Sequence, residues 1–221
     1  MSTVLFDPIK TQSKVTDSVI VAFSGGKESV VTLDLCCRYF KNVKAFFMYF
    51  CPDLSFEEKT LQWYEKKYQI EIERLPHIDL AQALHYGFFR NSDLSVPLIG
   101  INEIYNYVRL HFDTWWIAAG ERLDDSLWRR GMIHSTGTID EKRGRFYPIA
   151  TWKKQEILDY IKFHNLYLGA DSRKLGHSFL GFHTTELQFM KQYFPDDYKK
   201  FVRLFPYSEG RLFRYEQLGI K

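Results

Sequence analysis

The residues with the clearest chemical capacity lie together near the amino terminus, in the run Ser24-Gly25-Gly26-Lys27-Glu28-Ser29. Adjacent glycines permit positive φ and let successive backbone N–H groups converge on one concavity. A helix starting there adds unpaired N–H groups and about half a positive charge at its first turn. Ser24 and Ser29 supply hydroxyls and Lys27 a mobile point charge. Ala22 and Phe23 lead into the loop, so residues 22–29 form the expected anion-binding segment. Glu28 is the candidate magnesium contact, since that ion is commonly held by one or two carboxylates plus phosphate oxygens. The run is neither GxxxxGK[ST] nor GxGxxG, so it differs from both common nucleotide loops.

A second set follows much later: Gly120-Glu121-Arg122-Leu123-Asp124-Asp125-Ser126-Leu127-Trp128-Arg129-Arg130. Arginine forks match phosphate and sulfate oxygens in two-point contacts. Gly120 is expected where the chain leaves a strand, with Arg122 just beyond and Asp124 or Asp125 capping a helix that carries Arg129 and Arg130. Taken alone, the segment reads as a salt-bridged surface helix. Beside the first loop, Lys27, Arg122, Arg129 and Arg130 become candidate catalytic groups, and Gly120 and Asp125 candidate nucleotide contacts.

Both sets need a scaffold that brings them to one edge. Residues 18–23 form a continuous apolar run, as a strand buried on both faces requires. Helix is expected over 28–40, strand over 43–50, and helix over 55–68 with Ser55 as N-cap and Glu58 closing a capping box. Further strands are expected over 70–75, 114–119 and 146–150, with helices from about 78, from 102 and over 152–164. This alternation predicts an α/β fold with a mostly parallel sheet. Residues 1–165 read as the nucleotide-binding domain. Residues 166–221, rich in Gly, Phe, Tyr, Arg and Lys and interrupted by Pro195 and Pro206, read as a C-terminal helical or irregular appendage packed on it.

Three elements in order carry a family resemblance over roughly residues 18–168. The loop resembles the SGGxDS PP-loop of ATP pyrophosphatases and phosphoadenylylsulfate (PAPS) reductases, with Glu28 at the aspartate position. The Gly120 segment resembles that family's GxRxxES, with Asp125 where the family has Glu. Tyr147-Pro148-Ile149-Ala150-Thr151-Trp152 and the helix ending His164-Asn165-Leu166 resemble its third element. The resemblance implies an adenine nucleotide α-hydrolase-like fold: a Rossmann-like twisted sheet flanked by helices. It also implies ATP, PAPS or adenylylsulfate (APS) as the bound nucleotide, with Mg²⁺.

The chain departs from the reductases in its thiols. Cys36, Cys37 and Cys51 are its three cysteines, and none follows Cys51. The reductases' C-terminal nucleophilic cysteine therefore has no counterpart; Lys174-Leu175-Gly176-His177 stands in such a place without a thiol. No CxxC is present, so no iron–sulfur cluster is expected. His177 and His183 show no metal-ligand spacing.

Three functions are compatible with these residues. The first is cleavage of ATP between the α- and β-phosphates to adenylylate an acceptor that the sequence does not identify. The second is PAPS or APS chemistry with a partner's thiol. The third is a non-catalytic nucleotide-binding subunit of a nucleic-acid modification or defence complex. A net charge of +3 is too mild for a general nucleic-acid binder, although Lys199, Lys200, Arg203, Arg211 and Arg214 form a basic tail. Residues 1–18 contain no apolar signal region, and no run approaches spanning length, so no membrane partner is expected and a cytoplasmic location is. A protein partner, a nucleic-acid substrate and a homodimer are each compatible with the sequence.

Overall fold

The computed structural model describes residues 3–218. A 3-10 turn, Thr3–Phe6, leads into helix α1, Asp7–Gln12. Strand β1, Ser18–Ala22, is central, and its Val19, Ile20 and Val21 are fully buried. It pairs in parallel with β2, Asn42–Tyr49, on one side and β4, Ile117–Ala118, on the other. Strand β3, Ile72–Pro76, extends the sheet beyond β2; β6, Arg145–Phe146, extends it beyond β4. Strand β5, Ile139–Asp140, closes the far edge antiparallel to β6. The order is β3-β2-β1-β4-β6-β5, a six-stranded, mostly parallel sheet as the alternating pattern predicts.

Alternation along the strands sorts the flanking helices. Val19, Val21, Ala45 and Phe47 face helices α2, Lys27–Tyr39, α3, Ser55–Tyr68, and α7, Lys154–Phe163. Ile20 and Phe46 face α5, Ile101–Phe112, through Ile104, Tyr105 and Val108. One buried acid ties the first layer together. Asp34 of α2 accepts from Arg38 Nε at 2.6 Å, from Tyr160 Oη of α7 at 2.6 Å and from Tyr68 Oη of α3. Burial raises its proton affinity, but these three donors outweigh burial and leave the carboxyl below its usual value.

After α4, Ile78–Tyr86, and α6, Leu127–Thr136, the chain ends in four helices: α8, Ala170–Leu175; α9, Thr184–Tyr193; α10, Pro195–Leu204; and α11, Ser208–Leu218. Phe179, Phe189, Phe201 and Phe205 from this region pack with Phe50 and Phe56, which follow β2. The high aromatic content is thus largely spent inside, in edge-to-face and tilted pairs such as Phe50–Phe182 and Phe182–Phe205. Pro195 does not break a helix; it sits in the first turn of α10, where its missing N–H costs nothing.

Several local expectations are corrected. Ser55 is not the N-cap of α3; Leu54 holds that position, and Asp197 of α10 accepts from Ser55 N at 2.8 Å and Ser55 Oγ at 2.6 Å. Glu58 closes no capping box and instead pairs with Arg74 at 3.0 Å. A tertiary carboxylate has taken the role that local patterning gave to a serine. The strand expected over 146–150 is only Arg145–Phe146, because Tyr147 to Trp152 fold into successive turns (Ala150 N to Tyr147 O, Trp152 N to Ile149 O). Strand β5 had no signal in the sequence; two residues are too few for a readable period.

Candidate functional site

Strand order reverses at β1: β2 and β3 lie on one side, β4 and β6 on the other. Such a switch point opens a crevice at the carboxyl ends of the strands. The loop after β1 and the segment after β4 both leave from that crevice.

The loop is held open by its own serines. Gly25 has φ +71°, and Gly26 is the N-cap of α2. Ser29 Oγ donates to Gly26 O at 2.9 Å and accepts from Ser24 N at 3.1 Å, while Ser24 Oγ accepts from Gly26 N at 3.4 Å. Phe23 is buried against Tyr64, ring centroids 5.2 Å apart, so it contributes backbone and support rather than a side chain to the crevice. Ala22 ends β1 beneath it.

Gly120 explains how the two segments approach. A Cβ there would stand 3.1 Å from the Glu28 carbonyl carbon and 3.2 Å from Ser29 N. A side chain there would be tighter than ordinary contact, so the glycine lets the chain leaving β4 lie against the first turn of α2. This contact brings Arg122 onto the loop. Its Nη2 lies 3.3 Å from Glu28 Oε1 and 2.8 Å from Asp125 Oδ1, and its Nη1 donates to Trp152 O at 3.2 Å. Leu123 N also donates to Ala150 O at 2.9 Å. The turn around Trp152, pinned by Trp152 Nε1 on Leu5 O, therefore acts as the bracket for Arg122.

The result is a ladder of alternating charge. Lys27 meets Glu28 at 3.4 Å, Glu28 meets Arg122 at 3.3 Å, Arg122 meets Asp125 at 2.8 Å, and Asp125 meets Arg129 at 3.3 Å. Three cations and two carboxylates leave the ladder net positive. Arg122 is buried, and its Nε is a buried donor with no partner among the described residues. A phosphate placed in the crevice would meet N–H groups of the α2 N-terminus and a pre-oriented guanidinium.

The structure brings Ser24 to Ser29, Gly120, Arg122, Asp125 and Arg129 into this one assembly. Arg130 stands apart: it donates to Leu123 O at 3.2 Å and reaches Asp124 at 3.7 Å on the surface. Neither Asp124 nor Asp125 caps α6. Ser126 does, accepting from Arg129 N at 3.1 Å, which frees Asp125 to accept from the backbone and guanidinium of Arg122. Glu28 is engaged by two cations, and no three His, Cys, Asp or Glu side chains among the described residues are grouped to hold a metal. A magnesium ion here would rest on the nucleotide's phosphate oxygens, with Glu28 the carboxylate of the loop placed to meet it.

Sequence reasoning missed the cover over the loop. Ser172 Oγ donates to Gly25 O at 3.2 Å, and Lys27 Nζ donates to Gly176 O at 3.2 Å. Ser178 Oγ lies 3.5 Å from where a side chain on Gly26 would begin. Gly169 is pressed against Thr60, whose methyl group borders Gly25. The sequence marks this segment by Lys174-Leu175-Gly176-His177, which stands where the reductases carry their thiol. The three thiols are held in their protonated form by their surroundings. Burial, then the nearby Glu57 carboxylate, pushes the Cys51 thiol up to about 12; burial and Asp34 do the same to Cys37, and burial raises Cys36.

Fold and site together define an α/β protein with a glycine loop and a helix N-terminus at the β1–β4 switch point of a mostly parallel sheet. The sequence matches the phosphoadenosine phosphosulfate reductase domain over residues 18–169, and the chain belongs to that family of the PP-loop superfamily. The family is one of nucleotide-binding enzymes. No curated protein matches the chain. Two similar solved structures show the same fold. One is an NH3-dependent NAD synthetase from Campylobacter jejuni, at 18% identity and TM-score 0.50, covering 99% of this chain and 94% of that one. The other is the U34-tRNA thiolase NcsA from Methanococcus maripaludis, at 17% identity and TM-score 0.51, covering 94% and 78%. No helix among the described residues is long and apolar enough to cross a membrane.

Proposed function

We propose that the chain binds ATP in the β1–β4 crevice and cleaves it between the α- and β-phosphates, adenylylating an acceptor and releasing pyrophosphate. The charge ladder from Lys27 to Arg129 carries this reading. The loop and the N–H groups of α2 hold the β- and γ-phosphates, and Lys27 neutralises charge on the departing pyrophosphate. Arg122, locked by Asp125 and Trp152 O, stabilises the added charge on the α-phosphorus as the acceptor's lone pair attacks. The α-phosphorus–bridging-oxygen bond breaks, its electrons leave with pyrophosphate, and the acceptor's proton passes to solvent. Arg129, half-exposed at the open end of the ladder, orients the acceptor. Incubation with α-labelled ATP and graded acceptors tests this: label is expected on the acceptor with stoichiometric pyrophosphate. Orthophosphate release without pyrophosphate would contradict it.

The family match favours a second reading, in which the same ladder holds the phosphosulfate of PAPS or APS and a partner supplies the thiol. Burial shifts the thiols of this chain away from the thiolate, so a partner's thiol is the nucleophile in this reading. Calorimetry with ATP, PAPS and APS separates the two readings; a clear preference for ATP removes the second.

A further inference from the structure

Glu121 stands between Gly120 and Arg122, and the charge ladder passes it by. Gly120 backs onto the first turn of α2, and Arg122 reaches Glu28 on that same helix. Glu121 has different company. Tyr105 of α5 and Arg145 of β6 are its neighbours, and Arg129 and Asp125 of the ladder also act on it. Tyr105 belongs to the layer on the far face of the sheet from α2, and Arg145 lies over its ring, 5.5 Å from the centroid. Ala22, at the end of β1, packs with this layer and also with Ala119 and Tyr147 beside the end of β4. Glu121, two residues past Ala119, therefore stands at the rim of the β1–β4 crevice, on its α5 side.

Its Oε2 is buried and has no hydrogen-bond partner among the described residues. Buried polar atoms are nearly always paired, so a lone one at the rim of a crevice is a place for a ligand atom. The surroundings of the carboxyl select the class of that atom. Burial raises its proton affinity, and its own backbone N–H, Arg129 and Arg145 offset only part of this. An amine or amide N–H can only donate, which suits the ionised form best. A hydroxyl donates to the carboxylate and accepts from the acid, so it satisfies either form. In a nucleotide whose α-phosphate lies at Arg122, the part that bears hydroxyls is the ribose, one methylene away from that phosphate.

We propose that Glu121 recognises the ribose of the nucleotide, its buried Oε2 pairing with the 2′- or the 3′-hydroxyl. The inference rests on the nucleotide-binding reading above and deepens it. The phosphates are held from the α2 side of the chain leaving β4, and the sugar from its α5 side. Glu121 is thereby a specificity-determining residue, which distinguishes a ribonucleotide from a nucleotide lacking that hydroxyl.

The test is calorimetric titration of the chain and of Glu121→Ala with ATP, 2′-deoxy-ATP and 3′-deoxy-ATP. Wild type is expected to bind one of the two deoxynucleotides about tenfold more weakly than ATP, as for one hydrogen bond lost at a buried polar group. Glu121→Ala should bind that deoxynucleotide and ATP within about twofold of each other. Glu121→Leu, which fills similar space without a polar atom, takes its place if the alanine variant does not fold. Wild-type affinities within about twofold for all three nucleotides would overturn the inference and leave the proposed function standing. A preference for ATP that persists undiminished in the variant would assign the hydroxyl to another group and overturn it too. Failure of the wild-type chain to bind ATP at all would overturn both.

Discussion

Arg122 and Glu28 meet across the carboxyl edge of the sheet, Nη2 to Oε1 at 3.3 Å, and join two segments far apart in sequence. Arg122 is buried and shared with Asp125, so removing it leaves Glu28 with Lys27 alone and Asp125 with Arg129 alone. Arg122→Ala is expected to lower stability by about 1–3 kcal/mol, as for loss of charge-assisted hydrogen bonds and the packing of a buried side chain. Arg122→Lys keeps the charge but loses the fork, so it should fold better while still binding ATP more weakly than wild type. Urea denaturation and ATP titration of both variants check this. Wild-type affinity in Arg122→Lys would show that the guanidinium fork plays no part in binding.

Gly120 is required by proximity rather than by backbone conformation. Gly120→Ala forces a methyl to within 3.1 Å of the Glu28 carbonyl carbon and 3.2 Å of Ser29 N, both backbone atoms that cannot swing aside. A cost of about 1–3 kcal/mol is expected, as for other overpacked sites. ATP affinity should fall with it, since the strained element is the first turn of α2. An unchanged melting temperature and affinity would mean the two segments are free to separate.

Asp197 caps a helix from another part of the chain. Through Ser55 N and Oγ it satisfies the first turn of α3 and anchors α10. Asp197→Ala should cost about 1–2 kcal/mol, typical of a lost cap. Hydrogen exchange should speed up both at the Ser55 amide and across α10. Faster exchange at Ser55 alone would show that the C-terminal helices are held by their phenylalanines without this bond.

Glu57 gives a pH dependence of definite sign. Burial first, then Asp171, Glu58, Asp197 and Glu186, raise its carboxyl well above the ordinary value of 4.5. The folded state then holds a proton that the unfolded state releases above that value. Stability from this group is therefore full below about pH 4.5 and declines as pH rises beyond it. Glu57→Gln should be more stable than wild type at pH 7, and the difference should vanish near pH 4. Urea midpoints at both values decide the matter; a gap that is equal at the two pH values would contradict it.

The parts of the fold readable from sequence were those with long, clean patterns. The run 18–23 and the glycine pair after it placed β1, the loop and α2 correctly, because a doubly buried strand and a two-glycine turn have few alternatives. Gly120 and Arg122 were visible as a motif, but the reason for the glycine, its contact with Glu28 and Ser29, is tertiary. Ser55 looked like a cap and is instead capped by Asp197; Asp125 looked like a cap and instead orients Arg122. In each case a distant partner offered a better hydrogen bond than the local backbone did. The cover formed by Ser172, Gly176 and Ser178 was illegible because small polar residues carry no period and no charge pattern.

The loop from Ser24 to Ser29 is proposed to hold the phosphates of an adenine nucleotide. The most direct measurement is calorimetric titration of ATP into the wild-type chain and into Lys27→Ala. Saturable one-site binding to wild type is expected, weakened by at least about tenfold in the variant, as for loss of a charge-assisted phosphate contact. Equal ATP affinity in the two proteins, or no ATP binding by the wild-type chain, would contradict it.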